Sequence, residues 1–593
     1  MNLQQRHETL RGATLAAMLL AFAAVARAQD STASRAPTVL PDTAAGTCAG
    51  EIVSEIEYQT GRPPFGGVSA MWRKAARAVG LHHQTTRTSV VAAFVQLEVG
   101  QPCTDRLRTE TERVLRAQPF IATARVRAVP DSAAAGRVRV IVQTSDEIPI
   151  IAGARFSRRT LSRLTLGNSD VAGLGLAAQF QVERGFHYRN GFGARFDDYA
   201  FLYKPIRASI AAERDPLGGS WQLGVAHPFF TDLQSTSWRG DVSGVHSYFP
   251  ILRPANDGLA LQIKRSNWEI SGLSRLRFLG RLAVGGLVLS GTRVTPGYSG
   301  VVVTDTGLVA DTGQTLTARY SGFHAVRLGG IVGLRSLTFK PVRGFDALKG
   351  TQDVAVGLQA GVLLARGIGA FGESDYHIAT EAYAGIGNQH SFVAFQVDAE
   401  VRRSLDLGRW EDLISSGRAA WYTPRGRYTL VVSDEFATGW RTRLPMQLTL
   451  GGSGTGTDGG ARGYAGSLIA GAARNVLRIE QRRFVGTMFK HLDLGIAGFG
   501  DVGTVWSGSA PYGRTTTVPR PSLGVSLLGG YPSGSKRLYR VDVAVPLGAG
   551  KRRSVDVRFV TDMHALVFWQ EPGEVTRSRT GVAPTRIFNW PSR

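Results

Sequence analysis

Two hydrophobic rhythms divide this chain. Between Cys48 and Ile148 both helical and alternating spacings occur. Ile52, Ile56 and Tyr58 fall on one face of a first strand. Ser69–Val79 and Ser89–Val99 are predicted helical. In the second of these, Val91, Phe94, Val95 and Glu98 keep helical spacing, and Gly100 stands where a helix stops. A third helix is predicted to start at Thr104 as N-cap, with Leu107, Val114 and Leu115 on one side. Two strands come next; in the clearer one Val138, Val140 and Val142 alternate with Arg137, Arg139 and Ile141. The order strand, helices, strand, strand predicts a small α+β unit over residues 48–148.

From Pro149 to about Trp569 helical spacing disappears. Short alternating segments punctuated by Gly, Pro, Asp and Ser replace it. Leu523, Val525 and Leu527 alternate with Ser522, Gly524 and Ser526. Val541, Val543 and Val545 alternate with Arg540, Asp542 and Ala544, and Val555, Val557 and Phe559 with Asp556, Arg558 and Val560. Strands with one apolar and one polar or charged face fit a half-exposed soluble sheet, or a membrane barrel with lipid outside and water inside.

The chain ends differ from both regions. Residues 1–28 read as a secretory signal: Arg6 and Arg11, an apolar Ala13–Val25, and the cleavage pattern Ala26-Arg27-Ala28. Residues 29–47 form a Ser-, Thr-, Ala- and Pro-rich leader. Residues 570–593 are a polar tail, either a periplasmic extension or the carrier of a further strand at Arg586–Trp590. A signal favours the barrel over the soluble sheet. At roughly 26 residues per strand and connection, residues 149–569 predict about 16 strands, an even number.

Composition narrows the class. Of 593 residues 43% are hydrophobic, which excludes disorder, while 19% are charged and 72 are Gly. No repeated runs of about 20 apolar residues occur, so a bundle of membrane helices is excluded. Two cysteines exclude a disulfide-dense scaffold and most cysteine metal sites. Cys48 and Cys103 lie in the same small unit, and export permits a disulfide between them, worth about 4 kcal/mol in the chain-entropy view. The net charge is +23, and all but eight of the 69 basic residues are Arg. No dense basic run interleaved with aromatics accompanies it, so nucleic acid is not an expected partner. No G-x-S-x-G, H-E-x-x-H or Walker pattern is present, and His82-His83 have the wrong spacing for one helical face. No enzyme activity, cofactor or metal is expected. Gly454-x-Gly456-x-x-Gly459 matches a dinucleotide fingerprint but no βαβ unit surrounds it.

The most informative stretch is Leu450–Trp506. It contains Ala461-Arg462-Gly463-Tyr464, then Arg478-x-Glu480-x-Arg482, then Phe499-x-Asp501-x-Gly503. Alternation places Asp501 with Phe499 and Gly503 on one strand face, and Ile496, Val502 and Trp506 on the other. Arg478, Glu480 and Arg482 likewise share a face. A loop tip carrying Arg462 can grip such carboxylates with a planar, bidentate guanidinium, and Gly463 admits a backbone turn there.

With these motifs the chain resembles the BamA/TamA superfamily of outer-membrane assembly and translocation barrels. That family carries a [VIL]-R-G-[FY] tetrapeptide on a long loop folded into the lumen, succeeded by an E-x-R strand and a strand ending like F-x-D-x-G. Here Ala461 replaces the usual larger aliphatic residue. The resemblance implies that Arg462, Gly463 and Tyr464 form a lumen loop lock, with Asp501 and Glu480 as the partners of Arg462. Val342-Arg343-Gly344-Phe345 matches the tetrapeptide better, but it leaves about 45 residues for each of the five strands that come after the motif in the family, and no E-x-R strand stands close behind it. It reads as chance.

The N-terminal unit resembles a single POTRA domain, on Thr85-Thr86-Arg87-Thr88, Gly100 and Leu107-x-x-Glu110-x-Glu112-Arg113-x-Leu115-Arg116. The resemblance implies an outer-membrane barrel with its N-terminal domain in the periplasm, in contact with outer-membrane lipid. It implies a role in inserting or translocating unfolded outer-membrane or secreted polypeptides. A periplasmic partner could pair with the sheet edge of the N-terminal unit, which otherwise serves as a rigid spacer or cap. The alternative is a passive pore or surface antigen of the same fold without a client.

Overall fold

A computed structural model of the chain describes residues 48–61 and 84–581, less short loop stretches such as 453–458 and 548–554. The predicted signal and leader, helix Ser69–Val79, His82-His83 and Arg586–Trp590 lie outside the described residues.

The N-terminal unit is built from β1 (Ala49–Gly61), α1 (Thr88–Ala92), β2 (Pro102–Thr104), α2 (Asp105–Arg116), β3 (Ile121–Pro130) and β4 (Arg137–Asp146). Its sheet has the order β2-β1-β4-β3, with β1 parallel and β3 antiparallel to β4. The Thr104 side chain caps α2 by accepting from the Leu107 N–H at 3.3 Å. Val53, rather than Ile52, Ile56 or Tyr58, is the fully buried residue of β1. A bulge between Val53 and Glu55 shifts the register and breaks the even alternation expected from the sequence. Helix α1 is shorter than the predicted Ser89–Val99. Beyond Ala92 the amides of Phe94 and Val95 reach back only three residues, and Thr111 Oγ1 takes the amide of Gln96 at 3.1 Å. Phe94 and Leu97 thus reach the core from a tight turn instead of a helix. On the outer edge of β3, the N–H and C=O of Val126 are engaged by Glu112 and Arg108 of α2, at 2.8 and 3.1 Å.

Residues Ile150 to Asp562 form a closed antiparallel barrel. Among the described residues it has twenty strands; the short segment Leu308–Ala310 only folds back on its neighbour. The expectation of about 16 is therefore corrected. It assumed a uniform length per strand, but Ile150–Ser157, Thr160–Asn168 and Arg207–Arg214 have only 8, 9 and 8 residues. At about 3.3 Å per residue such strands still nearly cross a band about 25 Å tall. Strands later in the chain run to 22 residues. Among the described residues the last strand is Asp556–Asp562.

The barrel is inside-out relative to a soluble protein. On Phe323–Arg343 the outward residues Leu328, Val332 and Leu334 are exposed, while Arg327 and Arg335 are buried. On Ala473–Met488, Leu477 and Ile479 face out and Arg474, Arg478, Glu480 and Arg482 face in. Charge belongs inside only if the outside is lipid and the inside is polar. No helix among the described residues is long and apolar enough to cross a membrane.

The N-terminal unit lies across the near mouth of the barrel and touches turns from separate sectors of the rim. The Arg87 N–H donates to Gly173 O at 2.8 Å, and Arg113 donates to Phe230 O at 2.7 Å. Arg116 pairs with Asp353 at 2.8 Å, and Glu147 accepts from the Lys536 N–H and from Ser535 Oγ. The Lys536 ammonium donates to Arg116 O; burial pushes it down to about 8 against the pull of Glu147.

Besides the long loop of residues 441–472, two segments among the described residues enter the lumen. The turn after Phe323–Arg343 tucks inward: Phe345 stacks on Tyr422 at 5.2 Å, and Asp346 accepts from the Tyr422 hydroxyl and pairs with Arg482. This gives the Val342–Phe345 tetrapeptide a structural place that its spacing did not reveal. The tail is the second. From Phe568 to Thr580 it is packed inside the barrel, so of the two expectations a periplasmic extension does not describe these residues, while Arg586–Trp590 lies outside the described ones.

Candidate functional site

The long loop of residues 441–472 joins strands Tyr428–Trp440 and Ala473–Met488 and folds into the lumen. Its base is pinned by Leu448–Thr449 pairing with Ala470–Gly471. Its tip carries Arg462, which is only 3% exposed.

Arg462 makes a fork on Asp501, with Nε at 2.9 Å from Oδ2 and Nη2 at 2.7 Å from Oδ1. Its own backbone N–H donates to the same carboxylate at 3.0 Å. Nη1 donates to Glu480 Oε2 at 2.9 Å. The guanidinium also lies over the Phe499 ring, 3.4 Å from its centroid. The residues named from the sequence, Arg462, Asp501 and Glu480, are thus brought together. Asp501 is fully buried beside Phe499 and Gly503, while Ile496 and Trp506 on the other face are exposed.

Gly463 and Tyr464 extend the grip. Gly463 has φ +89°, and a Cβ there would sit 3.1 Å from Ser522 Cβ, so the position suits glycine. Its N–H donates to Asp556 Oδ2 at 2.9 Å, and the Tyr464 hydroxyl donates to Pro521 O at 2.7 Å. Three successive residues therefore reach the strands Ala473–Met488, Leu492–Trp506, Thr516–Gly530 and Asp556–Asp562, the last of which closes the barrel.

Several participants were not singled out from the sequence. Glu435 pairs with Arg478 at 2.5 Å and accepts the Gly459 N–H at 2.8 Å. Arg540 donates to Glu480 at 2.9 Å, and Asp542 lies 3.9 Å from Arg462. Asp542 and Arg540 were visible as the polar face of an alternating strand. Which loop would meet them was not.

The barrel closes weakly. The first strand Ile150–Ser157 pairs with the last strand through Phe559 opposite Ala154 alone among the described residues. The same last strand pairs with Leu538–Pro546 along its whole length, from Leu538 opposite Asp562 to Ala544 opposite Asp556. Side chains complete the seam near the mouth. Thr561 Oγ1 donates to Ala152 O at 2.8 Å, and Arg537 donates to Ile148 O and Ile150 O at 2.8 and 2.9 Å. Among the described residues, a ladder this short leaves backbone groups of both strands without a strand partner at the seam.

In the N-terminal unit, Cys48 and Cys103 are joined as a disulfide, tying the start of β1 to β2. No metal-holding cluster of His, Cys, Asp and Glu is found among the described residues.

No family model matches the chain, and no curated protein matches it. Solved structures do. BamA from Haemophilus ducreyi lacking POTRA domains 1-3 is similar at 13% identity, covering 86% of this chain and 84% of that one, with a TM-score of 0.35. CdiB from Acinetobacter baumannii is similar at 9% identity, covering 94% and 97%, TM-score 0.35. CdiB from Escherichia coli is similar at 11% identity, again covering 94% and 97%, TM-score 0.35. The likeness is one of barrel architecture at low identity.

Proposed function

We propose that this chain is an outer-membrane β-barrel that assists insertion or translocation of polypeptides. The observation that carries the reading is the seam. Two strands held by one backbone pair among the described residues can part and accept an incoming strand at their edges, which needs no covalent chemistry. The loop lock supports it. Arg462, Gly463 and Tyr464 fix the strands on one side of the seam, so that opening is confined to the junction with Ile150–Ser157. These residues stabilise and do not catalyse.

In this reading the N-terminal unit is a POTRA-like periplasmic domain, and the mouth it lies across is the periplasmic one. Its position favours a cap, because the outer edge of β3 is already engaged at Val126 by α2. The filled lumen speaks for this reading over a passive open pore. The clients are unfolded outer-membrane or secreted polypeptides, and the surrounding partner is outer-membrane lipid.

Depletion of the protein, with quantitative outer-membrane proteomics as the readout, tests the reading. Loss of many barrels marks a general insertase, and loss of one exported protein or a small set marks a dedicated translocator. No change beyond the protein itself rejects the proposal in favour of a pore or surface antigen.

A further inference from the structure

The tail after the last strand is the least expected feature of the lumen. Among the described residues the barrel ladder ends at Asp562. Yet the segment from Phe568 climbs the interior and lodges between strand Arg409–Arg425 and the underside of the long loop.

Each part of it meets a matching group. At its start, Phe568 O accepts from Arg418 Nη1 at 2.6 Å, and Tyr383 meets the Phe568 ring edge-on at 5.7 Å. Ser416 donates to Glu571 at 3.1 Å. Glu574 accepts from Arg474 Nη1 at 2.9 Å and from the Thr449 N–H and hydroxyl at 3.1 and 2.8 Å. Val575 packs with Ile414, Met446 and Leu448. Further on the charge order reverses with the wall. Arg579 pairs with Glu400 at 2.8 Å, and Thr580 donates to Asp412 at 3.1 Å. Within the segment, Arg579 also pairs with Glu571, and a single helical turn, Gly573–Ser578, sets their spacing.

This is the chemistry of peptide recognition. Carboxylates of the segment meet Arg and hydroxyl donors, its Arg meets a buried carboxylate, and an apolar residue fills a pocket between them. Arg418, Arg474, Glu400 and Asp412 of the barrel are buried and charged, so an empty slot would leave them without these partners. We propose that the slot between strand Arg409–Arg425 and the long loop is a peptide-binding site. Its occupant in this structure is the chain's own segment, Phe568–Gly581. The site takes a short peptide with an aromatic start, two carboxylates three residues apart and an Arg five residues beyond the second. Its occupancy fills that side of the lumen and props the long loop from below, where Thr449 rests on Glu574. The proposal goes beyond the polypeptide-delivery reading and stands whether or not a client exists.

The test uses a fluorescently labelled synthetic peptide of residues 568–581 and the barrel truncated after residue 567, in detergent. Anisotropy is expected to show saturable binding to the truncated barrel and at least tenfold weaker binding to the full chain, whose own segment fills the slot. A Glu574→Lys peptide should bind the truncated barrel at least tenfold more weakly, and Arg474→Glu in the barrel should restore it. Equal binding to both barrels, indifference to the charge at position 574, or no binding to a truncated barrel that keeps its β circular dichroism overturns the proposal. If truncation prevents folding, the full chain carrying Asp412→Cys and Thr580→Cys replaces it. Excess peptide should lower the yield of that cross-link, and an unchanged yield at saturating peptide overturns the proposal. Loss of peptide binding leaves client proteomics untouched, so the two readings fail separately.

Discussion

Gly463 and Asp556 stand 93 residues apart in the chain, yet the Gly463 N–H donates to the Asp556 carboxylate at 2.9 Å. One loop residue is thereby tied to the strand that closes the barrel. Arg462, its neighbour, is tied to two other strands through Asp501 and Glu480. The tip of the loop is a clasp over one flank of the seam.

Removing the centre of the clasp should cost stability without unmaking the barrel. Arg462→Ala deletes the fork on Asp501 and leaves a buried carboxylate; breaking such a pair costs about 3–5 kcal/mol. Arg478 near Asp501 and Arg540 on Glu480 remain, which places the expected loss near the lower end. Denaturant unfolding in detergent measures it. The heat-modifiable gel shift of a folded barrel should persist while client delivery falls. Unchanged delivery removes the loop-lock role.

The glycine of the clasp is open to a separate check. Gly463→Ala puts a Cβ onto a backbone with φ +89° and against Ser522. The expected loss is about 1–3 kcal/mol. Asp556→Ala keeps that backbone but frees the Gly463 N–H. Hydrogen exchange should then rise at residues 460–466 and along Asp556–Asp562, with the rest of the barrel unchanged.

Much of this site was legible in advance, because alternation alone fixes which side chains enter a lumen. Asp501, Glu480 and Arg462 needed only parity and a loop long enough to return. The strand number was less legible, since the short early strands shift the total and carry no period longer than two. The tail was illegible for a different reason. Glu571, Glu574 and Arg579 look like solvent-facing residues, yet Glu574 and Arg579 are buried and Glu571 is half-buried because this lumen supplies Arg474, Glu400 and Ser416. In an inside-out barrel, polarity does not announce exposure.

The inward turn at Phe345 gives a third prediction. Its ring stacks on Tyr422 and is fully buried, and Phe→Ala at such a site costs about 3–5 kcal/mol. The thermal midpoint of Phe345→Ala should fall clearly below that of Arg343→Ala, whose side chain is exposed. Equal midpoints contradict a structural role for the turn.

The docking of the N-terminal unit should depend on pH through Lys536. Its ammonium is pushed down to about 8 in the docked state, below the ordinary lysine value of about 10.4. Between those values the undocked form binds more protons, so docking strengthens as pH rises from about 8 to about 10. Lys536→Met removes the titrating group. Relative to that variant, the wild type should gain thermal stability across this range, and a constant difference contradicts the assignment.

The central claim is that the junction between the first and last strands must part for polypeptides to be delivered. Ala152 and Thr561 lie beside each other across it, with the Thr561 hydroxyl on Ala152 O at 2.8 Å. Ala152→Cys with Thr561→Cys staples the seam under oxidation. Delivery of an unfolded barrel client into vesicles holding the stapled protein should fall to background and return on reduction, while the single variants stay active in both conditions. Equal delivery by the oxidised and reduced forms would contradict the account.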